Sequence, residues 1–327
     1  MKKEQELWQF IAKRLKSDGK VMLLVVVESV GSSPGRQGFK MAVDTDLFRD
    51  NREGVLFGSI GGGIMEIKLV ELAKDYLQKG YSIPIIKKQI HNKNAAHNQS
   101  GMICSGEQTL LFYPLDKTHL KTVQNILSNF KKNTPTVLKM TPKHFQIIDN
   151  QRLIDDYTFI FADETAFVYA ENIGFKNDLY IIGGGHCALA LSELMSKMDF
   201  RIYLFDDRAA VNTVQKNKFA HHISTIDYDK IGELIPSGHT IYVVVMTVGY
   251  RTDAVVLRQL LNKNVRYLGV LGSDAKMKTL LEMLENEGFS ADLLRGVHTP
   301  IGLNIHSQTP EEIAVSIAAE IIFVKNK

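Results

Sequence analysis

The chain has 327 residues, of which 45% are hydrophobic and 23% are charged, so it has the composition of an ordinary globular protein. Its formal net charge of +3 is too small to indicate nucleic-acid binding, and no apolar run is long enough to span a membrane. We expect the charged, amphipathic N-terminus to form a helix and not a signal peptide, and the only cysteines, Cys104 and Cys187, exclude a disulfide scaffold. We therefore expect a cytoplasmic location.

Residues 1–115 predict an N-terminal α+β domain. An amphipathic helix from Glu4 to Lys16 precedes a strand at Val21–Val27, and further short strands lead to a second helix, GGGIMEIKLVELAKDYLQKG. The strands Ile83–Ile90 and Gln108–Tyr113 flank a long polar loop, HNKNAAHNQSGMICSGE. Because long ordered loops are uncommon unless they are functional, this loop is a candidate site.

Residues 116–178 contain a helix, His119–Lys132, and several short strands, and we interpret them as a connector packed on the N-terminal domain. From residue 179 to residue 327 the chain alternates between strands and helices. This alternation is typical of a doubly wound parallel sheet. The predicted fold class is therefore α/β, with a C-terminal Rossmann-like domain and a separate N-terminal α+β domain.

The most informative motif lies at Leu179–Asp207, where a strand, a glycine turn, a helix and a second strand follow one another. In a dinucleotide-binding unit, Gly183 would allow the tight turn and Gly185 would let backbone N–H groups approach a phosphate. His186 begins the helix, whose N-terminus supplies further donors. The alternative is a Rossmann-like scaffold in which these glycines serve only packing.

Polar side chains that follow the strands extend this candidate site. The second strand of the motif ends in Asp206 and Asp207, and either acid has about the spacing of a ribose-binding carboxylate. Thr247 and Asp253 follow a later buried strand, and Ser273 follows the next one. The carboxyl ends of parallel strands form the usual ligand edge of such a sheet, so we expect these residues to contact a cofactor.

Two glycine-rich loops of the N-terminal domain are candidate anion sites. The loop Gly31–Gly38 combines glycines and hydroxyl groups with Arg36 and the nearby Lys40, which suits a phosphate, although a simple hairpin loop explains the pattern as well. The second loop enters a helix that bears Glu66, and its alternative is a tight strand-to-helix turn. Its candidate cofactor-binding residues are Ser59, Gly61, Gly62 and Gly63.

Cys104 is the candidate catalytic residue. Its small neighbours in GMICSGE leave the thiol accessible, and the N–H groups of a turn can lower a thiol pKa. The alternative is an inert packing residue, which we expect Cys187 to be. His91 and His97 precede Cys104, but no CxxC or HxxxH spacing occurs, so we predict no metal site.

Taken together, these motifs resemble the xanthine dehydrogenase accessory (XdhC/CoxI) family, the maturation factors of molybdenum hydroxylases. The resemblance spans nearly the whole chain, and the most specific segment is the last one. The motifs that carry it are VGSSPGRQGFKMAV, GSIGGGIMEIKL, GMICSGE, YIIGGGHCALAL, FDDR, YLGVLGSDAK and HTPIGLNIHSQTPEEIAVSIAAEII.

The resemblance implies a cytoplasmic chaperone that binds the molybdenum cofactor, protects it, and helps to insert its sulfurated form into a xanthine dehydrogenase-type enzyme. It also implies Cys104 as the functional thiol, a cysteine desulfurase as a further partner, and a homodimer. It implies neither a nucleic-acid partner nor a membrane partner. The resemblance thus implies an accessory protein rather than a dehydrogenase.

Several positions depart from the family pattern. Ile64 replaces a cysteine that many members carry after the glycines, and Ser105 replaces a glycine after the functional cysteine. Val248 and Tyr250 replace histidines, and Asp274 and Ala275 replace basic residues. These departures indicate a divergent member, which serves a different molybdenum enzyme or has lost part of the cofactor chemistry.

Two other functions stay open: an NAD(P)- or FAD-dependent oxidoreductase or transferase acting on a small substrate, and a nucleotide-sensing regulator. A dehydrogenase would require a histidine that acts as an acid–base group, and the sequence pattern identifies no residue for that role.

Overall fold

The computed structural model of the protein describes residues 2–44, 56–90 and 106–327. The chain divides into two compact units, Met1–Gly174 and Phe175–Lys327, which we call unit 1 and unit 2. Within the described ranges, no helix combines the length and the apolar character that crossing a bilayer would require.

Unit 1 contains helices and antiparallel strands. Its helices are α1 (Lys2–Lys16), α2 (Gly63–Gln78) and α3 (Leu120–Lys132), the last preceded by a 3-10 turn at Lys117–His119. Its strands are β1 (Val21–Gly31), β2 (Lys40–Asp44), β3 (Leu56–Gly58), β4 (Ile85–Ile90), β5 (Gly106–Leu115), β6 (Thr136–Met140), β7 (Phe145–Asp149), β8 (Tyr157–Asp163) and β9 (Ala166–Ile173).

The central strand of unit 1 is β1, in an antiparallel sheet of order β3-β2-β1-β5-β4. Successive side chains of a strand point to opposite faces, so Leu23 and Val25 pack with α1 and α3 on one face. Met22 and Leu24 pack with α2 on the other face. A second antiparallel sheet, of order β7-β6-β9-β8, contributes its apolar side chains to the first of these two cores.

The predicted elements of unit 1 that the structure describes are confirmed, with changed bounds, and the strand expected at 83–90 begins only at Ile85. The strand expected at 21–27 continues to Gly31, because residues 28–31 keep their pairing with β5 beyond a bulge. The strand expected at 108–113 extends by two residues at each end. The helix expected at 119–132 begins one residue later, after the 3-10 turn.

Unit 2 alternates strands and helices. Its strands are β10 (Asn177–Ile182), β11 (Phe200–Asp206), β12 (His222–Thr225), β13 (Gly238–Val245) and β14 (Val265–Val270). Its helices are α4 (His186–Met195), α5 (Asn212–Lys216), α6 (Ile231–Leu234), α7 (Tyr250–Leu260), α8 (Asp274–Asn286), α9 (Ala291–Arg295) and α10 (Pro310–Lys325), with a 3-10 turn at Tyr228–Lys230.

The sheet of unit 2 is parallel throughout, and its strand order is β12-β11-β10-β13-β14. Leu179 and Ile181 of β10 pack beneath α4 and α10, whereas Tyr180 and Ile182 pack beneath α7 and α8. The predicted fold class, a doubly wound Rossmann-like sheet with a separate α+β part, is confirmed. The strand order reverses between β10 and β13, and open sheets of this kind bind ligands at such a switch point.

Candidate functional site

The three glycines that follow β10 have different roles. Gly183 has a φ of +104°, and a Cβ there would lie 2.3 Å from the carbonyl oxygen of Met246, so only glycine lets this turn approach the end of β13. At Gly184 a Cβ would lie 2.1 Å from Val214 Cγ2. At Gly185, by contrast, no atom of the described chain comes within 4 Å of that position. Gly183 and Gly184 therefore serve packing, whereas Gly185 leaves the space that a ligand needs.

Two helices begin at the switch point with the same open geometry. Gly185 is the N-cap of α4, with the exposed His186 next to it, and Gly249 is the N-cap of α7. Neither helix has a side-chain cap bond, and around both glycines the described part of the chain leaves the Cβ position empty to 4 Å. Since α4 follows β10 and α7 follows the adjacent β13, both N-termini lie at the same edge of the sheet. This edge can accept an anion.

Asp206, at the end of β11, is an internal residue. Its side chain is only 2% exposed and forms an ion pair with Arg208, with Nη2 2.8 Å from Oδ2. Oδ2 also accepts a hydrogen bond from the backbone N–H of Gly184 at 2.6 Å. Burial alone would raise the pKa of Asp206, but the hydrogen bonds from Arg208 and Gly184 outweigh it and lower that pKa. Asp207 is the exposed acid of the pair, with 43% of its side chain accessible.

Of the predicted residues after β13 and β14, Asp253 is a buried carboxylate that is bonded by Thr247 and by Lys276. Asp253 is 0% exposed, and its Oδ1 accepts hydrogen bonds from the hydroxyl of Thr247 at 2.6 Å and from the Thr247 backbone N–H at 3.1 Å. Its Oδ2 lies 2.7 Å from Nζ of Lys276. Ser273 caps α8 by accepting from the backbone N–H of Lys276. Asp253 thus supports the wall of the crevice from inside, while Thr247 and Ser273 are more accessible.

The glycine loops of unit 1 pack backbone against backbone. A Cβ at Gly35 would lie 2.1 Å from the carbonyl oxygen of Ile60, and one at Gly61, where φ is +131°, would lie 2.6 Å from the nitrogen of Gly35. The wholly buried Gln108 joins the loops, since its Nε2 donates to the Ile60 carbonyl at 2.8 Å. Its Oε1 accepts from the hydroxyl of Ser33 at 3.2 Å. Three segments that are distant in sequence therefore meet in one cluster.

Glu66 supplies a carboxylate to the second glycine loop. Its Oε2 accepts hydrogen bonds from the backbone N–H groups of Ile60 and Gly62, each at 2.9 Å, and from the Ser59 hydroxyl at 2.7 Å. The chain itself therefore uses donors that the sequence offers to an external anion. Gly63, the first residue of α2, is exposed.

The two cations predicted beside the first glycine loop have different surroundings. Arg36 is exposed and donates from Nη1 to the carbonyl of Gly31 at 3.0 Å. Lys40 turns inwards, where its Nζ lies 2.7 Å from Oε2 of the buried Glu171. Burial would lower the pKa of Lys40, but the charge of Glu171 raises it, so Lys40 stays protonated. Arg36 is therefore the accessible cation of this loop.

The candidate catalytic residue, Cys104, lies outside the described residues. Cys187 packs at the margin of the core under α4, and burial raises the pKa of its thiol. Among the residues that the structure describes, no group of three His, Cys, Asp or Glu side chains is arranged to hold a metal ion.

Two residues that organise the site, Gln108 and Arg208, are absent from the candidate residues predicted from the sequence. A signal existed for Glu66, because an acid four residues after a glycine N-cap is placed to reach back to the cap. No local pattern marks Gln108, which lies 48 residues from its partner Ile60.

Two family models match the chain. The model of the XdhC Rossmann domain matches residues 179–321, and the model of the XdhC and CoxI family matches residues 14–86. Between them they include the crevice of unit 2 and the first two glycine loops of unit 1.

Two relatives and one solved structure are similar to this chain. The uncharacterized protein YqeB of Escherichia coli K12 is 29% identical over 157 residues, which are 47% of this chain and 28% of that protein. A probable subunit of xanthine dehydrogenase from Bacillus subtilis 168 is 25% identical over 226 residues, 64% of this chain and 66% of that protein. The chain thus spans less than two thirds of the length of either relative. A crystal structure of a xanthine dehydrogenase from Bacillus halodurans has the same fold, with a TM-score of 0.68, 21% identity, and coverage of 99% of this chain and 96% of that one.

Proposed function

Because the chain belongs to the XdhC and CoxI family, we propose that it is an accessory protein of a xanthine dehydrogenase-type molybdenum hydroxylase. In this proposal it binds the molybdenum cofactor, protects it, and helps to insert the sulfurated form into that enzyme. A cysteine desulfurase would supply the sulfur, and the protein would act in the cytoplasm as a homodimer. The observation that carries the proposal is the match of both family models to a single chain, one at each end.

The crevice of unit 2 fits the phosphate end of such a cofactor. Gly185 and Gly249 leave open space above two helix N-termini, and their N–H groups with the helix dipoles favour a dianion. Ser273 can add a hydroxyl donor at the same edge, because its oxygen accepts from the Lys276 N–H and its own proton is not used there, whereas the Thr247 hydroxyl donates to Asp253. The residues of this unit would bind and orient the phosphate, and the bound cofactor would supply the molybdenum and the sulfur ligand.

The proposal assigns the role of functional thiol to Cys104. A soft thiolate is a suitable ligand for molybdenum or for sulfur in transit. Arg36 is an accessible cation that can bind a further anionic group near the glycine loops of unit 1. The pattern GMICSGE and the family resemblance support this role for Cys104.

The alternative function is that of an NAD(P)- or FAD-dependent oxidoreductase. The strand order and the switch point favour it, since nucleotide-binding sheets share both features. The two functions differ in what the purified protein carries. A bound pterin supports the accessory role, whereas bound NAD or FAD supports the oxidoreductase.

The test is an extract of protein purified from cells that make the molybdenum cofactor, oxidised with acid and examined by fluorescence and absorbance. We expect pterin fluorescence from the wild type, almost none from Cys104→Ser, and the wild-type level from Cys187→Ser, the matched control. Equal pterin in Cys104→Ser and wild type would eliminate the role of the thiol. NAD or FAD in place of pterin would establish the alternative.

A further inference from the structure

The carboxylate of Asp206 has no capacity left for a ligand. Oδ1 accepts hydrogen bonds from the backbone N–H and from Nε of Arg208, both at 2.9 Å. Oδ2 accepts from the backbone N–H of Gly184 at 2.6 Å and from Nη2 of Arg208 at 2.8 Å. A carboxylate offers about four lone-pair positions. These four donors therefore saturate it.

The saturation of this carboxylate is important because Asp206 occupies the position at which related nucleotide-binding folds bind a ribose. Rossmann units that bind NAD use an acid after the glycine turn, about 20 residues on, to accept the 2′-hydroxyl of the adenosine ribose. Asp206 has that position, at the end of the strand next to β10. Its side chain is 2% exposed, and a ribose hydroxyl could bond to it only by displacing a charge-assisted hydrogen bond.

We infer that the Asp206–Arg208 pair is a specificity determinant that prevents recognition of a ribose diol in the crevice of unit 2. The pair holds the glycine turn through Gly184 and leaves the open helix N-termini to a phosphate. The ligand of this crevice is then a phosphate ester, and the crevice makes no hydrogen bond to the hydroxyls of a ribose if the ligand contains one. The inference rests on the proposed function in one respect, since both place a phosphate-bearing ligand at this edge.

Asp207 is the one other acid at the end of β11 in the described chain that could accept the diol. Its Oδ1 lies 3.7 Å from Nε of Arg208, and 43% of its side chain is exposed. It follows the last residue of β11 and, unlike Asp206, makes no bond to the glycine turn, so we assign the ribose position to Asp206 and treat a contact from Asp207 as the competing outcome. The variant Asp207→Asn tests this assignment directly.

The first experiment compares AMP with 2′,3′-dideoxy-AMP by calorimetric titration of the full chain. Both carry the same phosphate and base, so only recognition of the hydroxyls separates them. We expect dissociation constants within about threefold of each other, and an absence of binding by both would contradict the phosphate site on which the inference rests. A preference for AMP of roughly tenfold or more, the effect of one hydrogen bond to a charged group, would overturn the inference.

The second experiment frees acceptor positions on the carboxylate of Asp206. Arg208→Ala removes two of the four donors from Asp206, and we expect the affinity for AMP to rise roughly tenfold while that for dideoxy-AMP stays unchanged. Arg258→Ala is the matched control, since Arg258 forms a comparable two-bond pair with Glu287 in the same unit. It should change neither affinity.

Two outcomes of these experiments separate the possibilities. If the wild type prefers AMP and Asp207→Asn abolishes that preference, the ribose is read by Asp207 and the inference is wrong. If Arg208→Ala fails to fold, the wild-type comparison decides alone. Failure of the proposed function is distinguishable, because it appears as an absence of pterin from the purified protein and not as a preference between the two nucleotides.

Discussion

The glycine turn of unit 2 gives the sharpest prediction, because its glycines are required for different reasons. Gly183→Ala places a Cβ 2.3 Å from the carbonyl oxygen of Met246 and 2.9 Å from the nitrogen of Thr247, both of them backbone atoms that cannot rotate away. Gly185→Ala places a Cβ in open space, on a backbone with φ of −72° and ψ of −171° that any residue adopts. The two variants should therefore differ in stability and in ligand binding.

The expected magnitudes follow from these contacts. A non-glycine residue with a φ of +104° costs about 1–3 kcal/mol. Forcing the ends of β10 and β13 apart costs about 1–3 kcal/mol more, as overpacking does. We expect Gly183→Ala to lower the free energy of unfolding by about 2–6 kcal/mol, within a total of about 5–15 kcal/mol. Gly185→Ala loses only the preference of glycine over alanine at an N-cap, about 1 kcal/mol.

Urea unfolding followed by far-UV circular dichroism measures these differences. Trp8 is the only tryptophan of the chain and lies in unit 1, so its fluorescence reports the unfolding of unit 1 separately. Gly185→Val should stay folded and lose the thermal shift that a phosphate-bearing ligand gives the wild type. The reasoning is refuted if Gly183→Ala costs less than about 1 kcal/mol, or if Gly185→Val binds that ligand as the wild type does.

Two further predictions concern buried charges. Lys40→Met leaves the carboxylate of Glu171 buried without its cation, and should lower the stability of unit 1 by about 3–5 kcal/mol in Trp8 fluorescence, whereas Lys40→Met with Glu171→Leu should recover most of it. Recovery of nothing would show that packing, not charge, explains the loss. Glu320 accepts hydrogen bonds from His298, Tyr267 and a backbone N–H, which outweigh burial and lower its pKa. Because the pKa of Glu320 is lower in the folded protein, its carboxylate stabilises unit 2 above the unfolded pKa near 4.5, and this stabilisation is lost as the pH falls. Glu320→Gln should lower the free energy of unfolding by about 2–4 kcal/mol at pH 7. The variant should also show a flatter pH dependence of stability below about pH 5.

The elements of the fold could be predicted because their signals are local. The run of seven apolar residues at the start of β1 and the order of strand, glycine turn and helix around Gly183 can be recognised within a few residues. The parallel pairing of unit 2 follows from the crossovers that an alternation of strands and helices imposes, whereas the strand order is given by the structure alone. The β-bulge near Val26 was not readable, since it depends on pairing with β5.

The site could be predicted only in part, because its polar contacts join distant segments. The position of Lys40 beside a glycine-rich loop suggests that it binds an anion. Only the fold brings Lys40 to Glu171 on β9, and this contact cannot be predicted from the local sequence. The sequence suggests that the backbone N–H groups of Ile60 and Gly62 are free to bind an anion. In the structure both donate to the carboxylate of Glu66. A residue type at a suitable spacing indicates what chemistry is possible, but not whether its capacity is already used inside the protein.

That distinction identifies the edge at which a ligand can act. The helices α8, α9 and α10 are capped by their own Ser273, Ser290 and Thr309. The helices α4 and α7 instead begin after Gly185 and Gly249, without a side-chain cap and with open space in the described structure. A protein that needed these two helices only for packing would gain stability from a capping side chain at either position. The glycines are explained if an external anion takes the place of the cap, and substituting serine for either one should then stabilise unit 2 while weakening phosphate binding.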